Sequence, residues 1–306
     1  MTDRLAETYR EFAHSSPLYA ELGAGFAEDA ELLGWLEGLP PAKRQPNLVF
    51  AAYRLVAGTP SGWPEFQTVL NDRRDEVEAV MLERRTQTNE AARCALMLPL
   101  LAALPQPLAL LEVGASAGLC LLPDRYGFDY DAGRHTVGEG TPVLRCRTEG
   151  DPPLPDALPQ VAWRAGLDLD PIDVFDEERI RWLELLVWPG QEHRVDTLRA
   201  AVKVARRDPP RIVRGDLTTG DLDELAMEAP DDATLVVFHT AVLFYVPPPG
   251  RAGFRERVRR LNATWLACEG PDVLGFEHDR VDVMALTRDG ERVAYADGHG
   301  GYLSWG

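Results

Sequence analysis

The sequence predicts an α/β fold, a mostly parallel sheet preceded by a helical segment. Three observations carry this. From about residue 108 onward, short apolar runs of strand length alternate with helix-length runs. The first of those apolar runs ends in an acid and then breaks into small residues, Leu110-Leu111-Glu112-Val113-Gly114-Ala115-Ser116-Ala117-Gly118-Leu119. Before it, the first third reads as helix after helix, punctuated by proline and glycine.

Taken in order, Leu5 to Phe12 is amphipathic, and Ser15-Ser16-Pro17 suits the start of a second helix because proline is tolerated at a first helical position. Ala27 to Leu39 carries Leu32, Leu33, Trp35, Leu36 and Leu39 at helical spacing and is stopped by Pro40-Pro41. Asn47 to Ala57 is a third apolar helix, closed by Gly58-Thr59-Pro60, and a fourth follows Trp63-Pro64. Arg73 to Leu104 reads as one long helix or two, ending at Pro105-Gln106-Pro107. These segments are expected to form an N-terminal helical cap over residues 1–104, with an α/β core over 105–306.

In the core, Leu108 to Val113 reads as a buried strand, followed by a Gly-rich turn and the start of a short helix from Leu119 to about Arg125. A helix beginning there would aim free N–H groups and a positive dipole end at a ligand on the loop. The ordinary alternative is a plain strand-to-helix turn. Residues 126–160, rich in Gly, Pro and charge, read as an insertion. Phe128-Asp129-Tyr130-Asp131 and Val143-Leu144-Arg145-Cys146-Arg147 are candidate strands of a hairpin within it, either lying over the site or decorating an edge. Further strands are expected from Val161 to Asp168, at Arg211 to Leu217, from Thr234 into His239-Thr240, and over Thr264 to Glu269. Helices are expected from Glu177 to Trp188, from Gln191 to Arg206 and along Phe254 to Leu261. Asp289-Gly290 between Val283–Thr287 and Arg292–Tyr295 signals a closing antiparallel hairpin.

Composition narrows the function. The net charge of -17 disfavours nucleic acid and anionic membrane surfaces, both of which want a basic face. It leaves a small-molecule substrate as the expected partner. The four cysteines, Cys94, Cys120, Cys146 and Cys268, form no C-x-x-C pair, so neither a metal site nor a disulfide framework is expected. With no apolar signal core at the start and no bilayer-length apolar run, the expected location is cytoplasmic.

In open parallel sheets, ligands bind beyond the carboxyl ends of the strands. Four strands here end in a polar residue at that edge: Glu112, Asp168, Asp216 and His239. A single acid after a strand is ordinarily a helix cap; several in register beside a Gly loop indicate a site. A dense polar run, Gln87, Asn89, Glu90 and Arg93, precedes the first core strand, with Glu90 and Arg93 one helical turn apart. It is expected to face cofactor or acceptor, its rival reading being a solvated helix end.

These pieces resemble a known architecture. Residues from about Leu108 to Trp305 resemble a class I S-adenosylmethionine-dependent methyltransferase core. The matching stretches are Glu112-Val113-Gly114-Ala115-Ser116-Ala117-Gly118, Gly166-Leu167-Asp168-Leu169-Asp170-Pro171, Gly215-Asp216 and Val236 to Leu243. The whole chain also resembles an uncharacterised bacterial family, domain of unknown function 2332. That likeness rests on Gln87 to Arg93, Gly114 to Leu119, Asp124-Arg125-Tyr126, Trp188-Pro189 and Phe238 to Leu243. The methyltransferase resemblance implies a Rossmann-like sheet and S-adenosylmethionine as methyl donor. It implies that Gly114, Ser116 and Gly118 pass under the donor's methionine part, that Glu112 faces its ammonium, that Asp168 accepts from the ribose hydroxyls, and that Asp216 and Leu217 flank the adenine. Thr240 would sit near the transferred methyl. His239 would be the first candidate base, with Tyr245 and Glu269 behind it, and His299 a turn residue. Two features depart from the pattern: Ser116 stands at the middle glycine, and Glu112 to Asp168 is far longer than the spacing of about 20 residues in a compact dinucleotide unit. The expected activity is O- or N-methylation of a small molecule. The alternatives are a nicotinamide- or nucleotide-binding α/β enzyme, or a binding module that keeps the fold without turnover.

Overall fold

A computed structural model describes residues 2–12, 16–278 and 283–306. Ser15, read as part of a helix start, lies outside them. The chain divides into two compact units, Met1–Thr88 with Glu177–Asp196, and Asn89–Asp176 with Thr197–Gly306. This boundary falls at Thr88/Asn89, whereas the sequence suggested 104, because the segment after Thr88 associates with the sheet.

The first unit is helical: α1 (Thr2–Arg10), α2 (Pro17–Glu28), α3 (Ala30–Glu37), α4 (Pro46–Ala57), α5 (Trp63–Asp72) and α6 (Arg74–Glu83). Pro17 and Pro46 occupy first helical positions, where a missing N–H costs nothing. Asp29 separates α2 from α3 by accepting from Glu31 N and Leu32 N. The core is aromatic: Tyr9, Phe26, Phe50 and Phe66 are buried and pack ring against ring. Arg54 ties in residues 177–196 by donating to the carbonyls of Leu185 and Val187.

In the second unit α7 (Cys94–Ala102) is apolar on every side and buried from Cys94 through Leu101. The stretch read as one helix or two is therefore two, α6 and α7, parted by the polar run. The strands are β1 (Leu108–Val113), β2 (Gly127–Tyr130), β3 (His135–Val137), β4 (Val143–Glu149), β5 (Val161–Asp168), β6 (Arg211–Arg214), β7 (Thr234–Thr240), β8 (Thr264–Glu269), β9 (Met284–Arg288), β10 (Glu291–Ala296) and β11 (Tyr302–Trp305). Between them in sequence lie α8 (Glu177–Leu186), which belongs to the first unit, α9 (Glu192–Ala205), which begins in the first unit and continues in the second, and α10 (Asp221–Ala226), α11 (Pro248–Arg260) and α12 (Pro271–Leu274) of the second.

Among the described residues the strands form one sheet in the order β3-β2-β4-β11-β10-β9-β8-β7-β1-β5-β6. Most pairings are parallel, including all four in the block β8-β7-β1-β5-β6. β1 is buried along its whole length, as a central parallel strand must be. From β1 the chain steps to β5 and β6 on one side and to β7 and β8 on the other, so strand order reverses there. Such a reversal opens a crevice at the carboxyl ends of the strands.

Two local expectations change. The Gly loop is followed by a three-residue 3-10 turn, Leu119–Leu121, and no α-helix. Phe128 and Val143 do not belong to one hairpin: β2 pairs antiparallel with β3 and parallel with β4. The 126–160 insertion extends the far edge of the sheet through the β4–β11 pairing. The closing hairpin forms as read, β9 with β10, and Asp289 and Gly290 both take positive φ (54° and 87°) as a two-residue primed turn requires.

Candidate functional site

The Gly loop leaves β1 with Gly114, Ser116 and Gly118 all in the left-handed region, at φ 72°, 52° and 70°. A Cβ on Gly114 would stand 2.3 Å from Val242 Cγ2, and one on Gly118 2.7 Å from Pro210 Cγ, so conformation and space both demand glycine there. Most of the loop's N–H groups are already used. Gly114 N donates to Leu167 O at 2.8 Å, Ser116 N to Asp168 Oδ2 at 2.8 Å and Gly118 N to Ala115 O at 2.6 Å. Leu119 N donates to Asn89 Oδ1 at 3.0 Å. The loop is thus a closed, internally bonded turn rather than a nest of outward-facing donors.

The acids at the strand ends differ in state. Asp168 accepts from Ser116 N and, through Oδ1, from Asp170 N at 2.8 Å, so it fastens the loop to β5. Asp216 accepts from Thr218 N and Oγ1 in a local turn, beside buried Leu217. Glu112 is 1% exposed, and its Oε2 has no hydrogen-bond partner. The buried Ser116 hydroxyl also lacks one. Burial pushes the Glu112 carboxyl well above the usual carboxylate range, Cys120 and Asp168 push the same way, and Arg93 opposes them. An orphaned buried carboxylate oxygen is the kind of exception that needs a reason.

The polar run splits. Gln87 belongs to the helical unit and accepts from Arg179 at 3.4 Å. Asn89, Glu90 and Arg93 belong to the sheet unit and are buried. Asn89 clamps the Gly loop from both sides, donating to Ala115 O while accepting from Leu119 N. Arg93 donates to Thr240 O and Oγ1 at 3.2 Å and to Gly298 O at 2.8 Å, joining the end of β7 to the β10–β11 loop. Glu90 Oε2 lies 3.8 Å from His299 Nδ1. The turn read around His299 is present, with Asp297 Oδ1 accepting from the N–H groups of His299, Gly300 and Gly301.

Strand alternation separates the candidates. Glu112 is in register with Phe238, and Thr240 follows two residues later, so Glu112, Thr240 and Arg93 share one face of the sheet. His239 takes the other face, against Phe254 of α11. It is fully buried, with both ring nitrogens engaged: Trp265 Nε1 donates to Nε2 at 3.0 Å, and Nδ1 lies 2.7 Å from Glu269 Oε1. Because indole only donates, Nε2 must accept and Nδ1 carries the proton. The base role read from sequence therefore has no open nitrogen on His239. Glu269 is also buried; its Oε1 accepts from Val242 N at 2.7 Å and Leu243 N at 3.0 Å as well, capping the turn after β7, while its Oε2 has no hydrogen-bond partner. Tyr245 sits on that turn, half exposed, its ring tilted 37° against that of Phe244 with centroids 3.7 Å apart. His239 and Glu269 thus build structure beside the site, and only Tyr245 of the three reaches solvent.

Sequence reading missed Trp265 and Arg251, and it read the Asp297–Gly301 turn without its link to Arg93. Neither Trp265 nor Arg251 carried a local signal, whereas the turn announced itself as a histidine set among three glycines. The cysteine thiols are buried, and burial raises Cys268 to about 12, which keeps it from acting as a nucleophile near neutral pH. No group of three or more His, Cys, Asp or Glu that could hold a metal ion occurs among the described residues. No helix among them is long and apolar enough to cross a membrane.

No curated protein matches the chain. A family model does, over residues 4–305. The match spans nearly the whole length, both units and every residue of the site, and the chain belongs to the bacterial family described as "Uncharacterized protein conserved in bacteria (DUF2332)".

Proposed function

We propose that this protein is an S-adenosylmethionine-dependent methyltransferase acting on a small molecule at oxygen or nitrogen. One observation carries the reading: the Glu112 carboxylate, buried with an oxygen unpartnered, at the carboxyl end of β1 where strand order reverses. A buried carboxylate suits a cationic ligand group, and the Ser116 hydroxyl beside it offers a second polar contact. The residues fit the donor in three further respects. Asp168 uses one hydrogen bond per oxygen on the backbone, which leaves lone pairs for ribose hydroxyls. Asp216 and Leu217 lie just beyond β6, the next strand outward. Thr240, held by Arg93, ends β7 on the same face as Glu112. The donor supplies a methyl group on a sulfonium centre. The chain's own part is to hold and align the two reactants, the effect that dominates where a transfer needs little proton chemistry.

The loop favours this ligand over a dinucleotide. A pyrophosphate wants free N–H groups at a helix N-terminus. Here the N–H groups of Gly114, Ser116, Gly118 and Leu119 are bonded internally, and the loop runs into a three-residue turn.

Titration calorimetry of the full chain with S-adenosylhomocysteine, NAD and NADP tests the reading. Micromolar binding of the first, weakened about tenfold (~1.4 kcal/mol) in Glu112→Gln, is expected. Binding of NAD in its place, or of none of the three, would overturn it.

A further inference from the structure

Ser116 sits in the left-handed region at φ 52°, a conformation that strains every residue but glycine. The surrounding backbone holds it there. Ser116 N donates to Asp168 Oδ2 at 2.8 Å, and Ser116 O accepts from Ile172 N at 3.0 Å. The neighbouring Ala115 O accepts from Asn89 Nδ2 and from Gly118 N. Both backbone polar groups of Ser116 are thus used within the chain. Its hydroxyl is not: the residue is 3% exposed, and Oγ is buried without a hydrogen-bond partner. A buried polar group so placed is destabilising in its own right. Two separate penalties therefore fall on one side chain, and glycine would remove both. They fall where the loop leaving β1 is bonded to the end of β5, at the carboxyl edge of the sheet.

We infer that Ser116 is a specificity-determining residue whose hydroxyl donates to the carboxylate of an α-amino-acid group, the ammonium of that group lying against Glu112. That the group is the end of S-adenosylmethionine rests on the reading above; its recognition does not. Strain of this kind persists where the surroundings over-determine it, and it gathers at ligand clamps. Glu112, four residues earlier, is the other buried side chain of this segment with an unpartnered oxygen. A carboxylate suits an ammonium, and a hydroxyl donor suits a carboxylate. An α-amino acid presents both on one carbon. The hydroxyl takes the carboxylate because the N–H groups of Gly114, Ala115, Ser116, Gly118 and Leu119 are already bonded within the chain.

The test compares Ser116→Gly and Ser116→Ala in the full chain. S-adenosylhomocysteine and methylthioadenosine, which keeps the nucleoside but lacks the amino-acid end, are titrated by calorimetry. Free L-methionine is followed by saturation-transfer NMR. Ser116→Gly should raise the melting temperature by about 2 °C. It should also weaken S-adenosylhomocysteine and L-methionine about fivefold or more, as loss of a hydrogen bond to a charged group does, and leave methylthioadenosine unchanged. Ser116→Ala keeps the strained backbone, so it should lose the same affinity without the gain in melting temperature. A serine with a structural role alone cannot give this opposition of stability and binding. Unchanged affinity for both amino-acid ligands in both variants would overturn the inference. So would an equal loss of methylthioadenosine, or a lower melting temperature in Ser116→Gly. L-methionine binding that depends on Ser116, without S-adenosylhomocysteine binding, keeps the inference and removes the methyltransferase reading. S-adenosylhomocysteine binding indifferent to Ser116 does the reverse, and binding of neither removes both.

Discussion

Glu112 carries the most testable chemistry of any single residue. Its carboxyl is raised above the ordinary range chiefly by burial. In the interval between its unfolded and folded values the native state holds a proton that the unfolded chain has lost, so stability falls as pH rises. The contribution is fully present below the unfolded value near 4.3 and is lost as pH climbs through the folded one. Glu112→Gln removes the group, so the variant's melting temperature should gain on the wild type as pH rises from 5 towards the raised folded value. A constant difference across that range would mean Glu112 is not raised. Binding carries the opposite sign. A cation placed beside Glu112 favours its charged form, so ligand binding should release a proton and tighten with rising pH. Calorimetry in buffers of different ionisation enthalpy reads that proton directly. At Gly114, alanine meets both a positive φ and Val242, and a loss of about 1–3 kcal/mol in urea unfolding is expected.

Elements meet at the segment 89–93. Arg93 donates to two backbone carbonyls far apart in the chain, at Thr240, which ends β7, and at Gly298 in the β10–β11 loop. Its removal strips a partner from the buried Thr240 carbonyl and hydroxyl and from the half-buried Gly298 carbonyl, a loss of about 1–3 kcal/mol for each buried polar group so stranded. Arg93→Ala is therefore expected to lower stability by at least ~2 kcal/mol as well as weaken S-adenosylhomocysteine, and Arg93→Lys to restore only part of either. An unchanged melting temperature would return the run to the solvated helix end considered from sequence. On the opposite face, His239→Ala strands Glu269 and the Trp265 indole. It should destabilise by about 1–3 kcal/mol in urea unfolding and, on the proposed function, leave S-adenosylhomocysteine affinity of the folded fraction within about twofold, ~0.4 kcal/mol. A selective loss of affinity with full stability would restore His239 to the site.

For the molecule as a whole, α7 decides what can be cut away. It is apolar all round and buried, and Tyr130 of β2 donates to Ala95 O within it at 2.7 Å. A fragment beginning near Pro105 loses α7 and the Asn89 and Arg93 contacts, and it separates residues 177–196 from the rest of the unit they pack in. It should be insoluble or should melt without a cooperative transition. A soluble fragment with a sharp calorimetric transition would show that the sheet is self-sufficient.

Local pattern was enough for the elements and for the edge of the sheet at which the acids gather. Leu108–Val113, Thr264–Glu269 and the Asp289-Gly290 hairpin were legible because apolar period and turn chemistry depend on neighbours a few residues away. The acids Glu112 and Asp168 come together at one edge because strands in a parallel sheet all end on the same side. Partners and facing were another matter. Thr240 and His239 are adjacent in sequence, yet one turns toward Arg93 and the other toward α11, since a strand sends successive side chains to opposite faces. Gln87 and Asn89 are two residues apart and fall in different units. The bond from Arg93 to Gly298 spans 205 positions, and no local periodicity encodes a contact over that distance. The sequence by itself determined which residues could carry charge at the strand ends. Only the tertiary structure decided which have both oxygens satisfied by their own chain and which, like Glu112, keep a buried oxygen without a partner, because that depends on contacts between segments far apart in sequence.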